Sequence, residues 1–134
     1  MKDDGLYVIH MGECIARIQS YTVGGRKQFF AETLVQDAVL RNLQTMGESS
    51  KRLSRTLKNR APDIDWKKIA GFRNVLVHDY LGIDLDTVWN VIEAHLPPLA
   101  AFLKTTTELL RLPPPRVPIG KARKPTKRKK RSTG

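Results

Sequence analysis

Gly71-Phe72-Arg73-Asn74-Val75-Leu76-Val77-His78-Asp79-Tyr80 sets an arginine, a histidine and a tyrosine at fixed offsets inside an otherwise apolar stretch. Just upstream, Ala61-Pro62-Asp63-Ile64-Asp65 supplies a breaker and carboxylates suited to capping. A helix is therefore predicted to start there and to carry Trp66, Ile69, Phe72, Val75 and Leu76. Gly82 and Asp84 are expected to close it.

Working outward, Leu6, Tyr7, Ile9, His10, Met11, Cys14, Ile15 and Ile18 recur at steps of three and four, the spacing of one amphipathic helix. Tyr21-Thr22-Val23-Gly24-Gly25 breaks it. A second helical region is predicted from about Lys27 to about Leu57, with a kink or split near Thr33. The final segment begins near Asp86, and Pro97-Pro98 removes backbone donors in its middle, which predicts a kink or a restart. No strand-like alternation of useful length stands out. The expected architecture is all-α, an antiparallel bundle of four to five helices over residues 1–112.

Charge divides the chain in the same place. Of 24 Lys and Arg, nine fall in residues 113–134, which hold no acid; the rest carries 15 basic against 13 acidic residues. The body is nearly neutral. Five prolines and nine like charges cannot bury a core, so residues 113–134 read as a disordered basic tail. A single cysteine, Cys14, rules out an internal disulfide and a cysteine-built zinc site. With no signal-like N-terminus and no window of ~20 apolar residues, a cytoplasmic protein that avoids the membrane is expected.

The central stretch suits phosphate chemistry without a metal or cofactor. Cutting an RNA strand with its own 2′-hydroxyl needs a base, an acid and positive charge on the developing phosphorane. His78 titrates near neutrality and can serve as either acid or base. Arg73 stays charged and offers a planar fork of donors to phosphate oxygens. Tyr80 can donate a hydrogen bond nearby. The plain alternatives are a packed or capping His78, an Arg73 paired with Asp79, and a Tyr80 that is a core or interface aromatic. On a helix turning ~100° per residue, Tyr80 falls within about 20° of Arg73 while His78 points some 140° away. Either the helix unwinds at His78, or a second copy of the chain completes the site across a two-fold axis.

Arg73-x4-His78-x-Tyr80 resembles the signature of HEPN domains, and its surroundings resemble the HepT branch. Gln36-Asp37-Ala38-Val39-Leu40-Arg41-Asn42-Leu43, Met46-Gly47-Glu48, Pro62-x-Ile64-x-Trp66-x-x-Ile69, and His78-Asp79-Tyr80-x-Gly82-Ile83-Asp84 through Val88-Trp89 carry that likeness. It covers residues 4–110, and Ser49-Ser50 departs from it. The resemblance implies a homodimeric HEPN fold and a toxin of a type VII-like toxin-antitoxin system. In this reading Arg73 and His78 cleave RNA. A cognate MntA-type nucleotidyltransferase antitoxin neutralises the toxin by AMPylating Tyr80, which adds bulk and negative charge where the RNA phosphate must sit.

Asn42 and Glu48, six positions apart on the long helix, are either hydrogen-bonded core residues or cleft-lining ones, and Asn74 is expected to orient or cap. His10 and His95 read as core or capping residues. A different class of function remains open, a non-catalytic helical subunit that binds a nucleotidyltransferase and helps present its substrate. A third is a nucleic-acid-binding module driven by the tail, which would otherwise be an RNA-binding arm, a contact to the antitoxin, or a solvated end.

Overall fold

The computed structural model describes residues 4–72, 77–78 and 82–113, with backbone alone at Val77, His78 and Ile83. Helix α1 (Asp4–Tyr21) sets Val8, Met11, Ile15 and Ile18 along one stripe, each almost wholly buried. Its other side buries Glu13 and Ala16, so α1 runs through the middle of the bundle. It packs most extensively against α3 (Thr33–Ser50), whose Val39, Leu43 and Met46 meet it, and next against the last helix.

The split expected near Thr33 is present. Helix α2 (Gly25–Ala31) ends and α3 begins on either side of Glu32, whose backbone is extended at φ −117° and ψ 110°. Gln36 Nε2 reaches back to the Phe29 carbonyl at 2.9 Å, giving an end-of-helix acceptor the donor it lacks. The long region does not run to Leu57, however. It stops at Ser50, and Ser54 caps a separate turn, α4 (Arg55–Lys58), by accepting from Leu57 N–H at 3.1 Å.

Ser54 does more than cap. Its N–H and Oγ donate to the two carboxylate oxygens of Asp4 at 2.8 and 2.6 Å, and the start of α1 is thereby pinned just beyond the end of α3. Charge-assisted bonds to a buried carboxylate are worth about 1.5–3 kcal/mol each.

Asp65 caps α5 (Trp66–Ala70) by accepting from Lys68 N–H at 3.0 Å, as the sequence predicts. The predicted helix does not continue to Tyr80. Val77–His78 forms strand β1, which pairs antiparallel with β2 (Gly82–Ile83) in the register Val77↔Ile83 and His78↔Gly82. Gly82 takes φ +78°, open to glycine and strained for other residues. Among the described residues this two-rung ribbon is the departure from an otherwise all-α fold.

Asp84 then caps α6 (Leu85–Asn90), accepting from Thr87 N–H at 3.1 Å. A π-helical turn at Val91–His95 leads into α7 (Leu96–Leu109), whose first turn holds both prolines. The restart expected at Pro97-Pro98 is thus accomplished by widening the preceding turn, since neither proline can donate to the helix behind it. Trp89 packs on Phe29 with ring centroids 5.3 Å apart, and Trp66 meets Phe102 edge-on at 5.6 Å. Of the predicted tail at 113–134, residues 114–134 lie outside the described residues. Among the described residues no helix is long and apolar enough to cross a membrane.

Candidate functional site

The motif segment is approached through a close helix contact. Gly47 on α3 lies so near α5 that a Cβ there would come within 2.6 Å of the Ile69 carbonyl oxygen and 3.6 Å of Phe72 Cβ. Glycine at this position lets two backbones touch. Ile69 and Phe72 are buried, so the chain reaches the position before Arg73 held against the core.

His78 is out of the helix. Its backbone is extended and paired with Gly82, so the 140° divergence of a continuous helix does not apply to it. Arg73, Asn74, Asp79 and Tyr80 lie outside the described residues.

On α3, Asn42 is buried at 9 % exposure and donates through Nδ2 to the Ala38 carbonyl at 2.9 Å, one turn back on its own helix. Glu48 is exposed and accepts from Lys51 Nζ at 3.1 Å. Six helical positions put the two about 120° apart, so they do not share a face.

The other titratable groups divide cleanly. Burial pushes the Cys14 thiol above its usual range, only partly offset by Arg17, which makes it a core residue with little thiolate. His95 is held below the ordinary histidine value, first by burial and then by the positive charge of Lys68, with Asp65 opposing. His10 stands edge-on to Tyr7, with ring centroids 6.1 Å apart.

Glu13, at 3 % exposure, is a buried carboxylate on α1 that the sequence analysis passed over. Its place beside Cys14 and Ile15 was the available signal, an acid inside an apolar run. A groove of about 560 Å³ opens between α1 and α7, floored by Ile15, Ala16 and Leu103 and edged by Lys104 and Glu108. It offers apolar surface and no histidine, so it is separate in character from a phosphate-cleaving centre.

The profile of ribonuclease HepT-like proteins matches residues 11–106, nearly the whole described bundle. The chain belongs to the HepT-like ribonuclease family. A protein of Thermococcus cleftensis named probable ribonuclease HepT is 31 % identical over 94 residues, 69 % of this chain and 86 % of the relative. The mRNA nuclease HepT of Shewanella oneidensis is 32 % identical over 114 residues, 67 % of this chain and 85 % of its own. A gamma-glutamylcyclotransferase and candidate RNase of Methanocaldococcus jannaschii is 34 % identical over 110 residues, which span 81 % of this chain and half of that protein's length. No solved structure matches the chain significantly.

Proposed function

We propose that this HepT-like chain is a metal-independent endoribonuclease and the toxin of a toxin-antitoxin pair, acting through Arg73, His78 and Tyr80. The observation that carries the reading is the loss of helix by His78 within a family-matched bundle. Extended backbone at position 78 breaks the continuous helical phase that would set residues 73 and 78 some 140° apart.

In this mechanism the guanidinium of Arg73 holds the non-bridging oxygens of the scissile phosphate. His78 takes the 2′-hydroxyl proton or delivers one to the departing 5′-oxygen, and Tyr80 donates a hydrogen bond at the same phosphate. Two copies of the chain, related by a two-fold axis, would bring two such segments to one cleft.

Control falls on Tyr80. A cognate MntA-type nucleotidyltransferase would direct the phenolic oxygen onto the α-phosphorus of ATP, forming a phosphodiester to AMP as pyrophosphate leaves. The added anion would occupy Arg73 and block the place of the RNA phosphate. Asn42, Glu48, Asn74 and Asp79 are possible cleft or RNA-binding residues to which no chemical step is assigned.

The test is induced expression of the wild type, Arg73→Ala and His78→Ala without any partner, with growth and total RNA followed in parallel. Growth arrest and RNA fragmentation by the wild type alone, with both variants folded, is the expected result. If His78→Ala fragments RNA as the wild type does, the assignment fails, and a non-catalytic partner-binding subunit replaces it.

A further inference from the structure

The family match ends at residue 106, and the nine Lys and Arg of residues 113–134 fall beyond it. What the described structure fixes is where that stretch leaves the bundle. Helix α7 ends in a pair of reversed bonds, Leu112 N–H to the Thr107 carbonyl at 2.9 Å and Arg111 N–H to the Glu108 carbonyl at 3.2 Å. Arg111 between them takes φ +56°. This is a Schellman stop, which turns the chain sharply off the helix axis.

Leu112 is thereby laid on the first turn of α1, so close that a Cβ at Gly5 would stand 3.1 Å from its Cδ2. The neighbouring Asp4 is bonded to Ser54, just past the end of α3. One turn inside that end, Gly47 bears on Ile69 and Phe72, immediately before the motif. The exit of the basic stretch and the approach to Arg73 therefore share one end of the bundle.

We propose that residues 113–134 are a polycationic arm that grips single-stranded RNA by its phosphates beside the cleavage segment. The proposal rests on RNA being the substrate. At ~3.3–3.6 Å per extended residue, Lys121 can reach about 30 Å from Leu112 and Arg131 about 65 Å, so the arm spans several nucleotides around the cut. Its chemistry favours a polyanion over a protein face. Residues 120–134 hold Ala122 and Pro125 but no larger aliphatic or aromatic side chain to anchor a protein interface, Val117 and Ile119 preceding them, whereas eight of the nine cations lie there.

The experiment measures binding of a fluorescein-labelled, unstructured single-stranded RNA of about 20 nucleotides by anisotropy, in the His78→Ala background so that the probe stays intact. Three chains are compared across salt: full length, truncated after Leu112, and full length with all nine Lys and Arg changed to Gln. If about six phosphates are engaged, each contributing a slope of ~0.7, the full chain should lose roughly 300-fold in affinity between 50 and 200 mM salt. The truncated and glutamine chains should lose under about tenfold. Parallel salt dependences for all three overturn the proposal. So does loss of antitoxin binding with RNA binding intact, which would make the stretch a protein-docking segment. Cleavage by the His78 chain is scored separately. A salt difference without cleavage would keep the arm and remove the ribonuclease assignment.

Discussion

Gly47→Ala separates the stability of the bundle from the placement of its motif. In the interior of α3, alanine in place of glycine gains about 1 kcal/mol of helix propensity. Against this, the new methyl meets the Ile69 carbonyl oxygen at 2.6 Å, well inside an ordinary carbon–oxygen contact of about 3.2–3.5 Å. That oxygen belongs to backbone, so α5 must move outward by roughly 0.6–0.9 Å, and overpacking of this kind costs about 1–3 kcal/mol. The net is a loss of about 0–2 kcal/mol, which urea unfolding would register as a small fall in midpoint with an unchanged slope. The larger effect should be on chemistry, because Phe72 is carried along and leads directly into Arg73. A displacement approaching 1 Å can cost on the order of 100-fold in rate. On the proposed ribonuclease function, RNA cleavage by purified Gly47→Ala protein should thus fall ten- to a hundredfold while the chain stays folded. A variant about 1 kcal/mol more stable than the wild type and fully active would refute the reasoning, since propensity would have been gained with no steric cost.

Asp4→Ala removes both bonds to Ser54 and should destabilise the bundle by about 2 kcal/mol; combined with Ser54→Ala in denaturant titrations, the two losses should be clearly less than additive. Arg111→Gly should stabilise by roughly 0.5–1 kcal/mol, because φ +56° is nearly free for glycine, and a lower melting temperature would count against the helix stop described. His95 should titrate below the ordinary 6.5 by NMR. The unfolded chain then takes up the proton first, so this group's contribution is present above pH 6.5 and is lost as pH falls through that value towards the folded one. His95→Gln should flatten that decline, and a midpoint at or above 6.5 would contradict the placement beside Lys68. Cys14, at 2 % exposure, should resist Ellman's reagent in the native state and react at once in urea.

What the sequence made legible was the local periodicity and punctuation. The stripe of α1, the break near Thr33, the cap at Asp65 and the restart at Pro97-Pro98 each follow from a few neighbouring residues, and each is where it was expected. The motif with its flanking segments likewise led to the family. What escaped was decided by contacts distant in sequence. Nothing in Asp4 announces Ser54, fifty positions on, and Gly47 reads as a weak helix residue until Ile69 is set against it. The helix predicted through His78 shows the same limit from another side. Val75-Leu76-Val77 is apolar at any period and gives no phase to read, and β-branched Val77 suits a strand, so for Val77 and His78 the pairing with Gly82 and Ile83 selects the extended form. Glu48, which could be read from sequence as core or cleft-lining, has the exposed neighbouring Lys51 as its described contact.

The touch between Leu112 and Gly5 also makes the bundle a nearly closed loop of chain, and this opens it to circular permutation. A short glycine-rich linker could join residue 112 to residue 4, with new ends cut at Glu32, an exposed extended residue between two helices. All core helices would be kept. The basic stretch, grafted onto the new end at residue 31, would then leave beside α2 with its composition unchanged and its point of attachment moved. Such a protein would tell whether a polycation needs merely to be tethered to this bundle or needs to be tethered there.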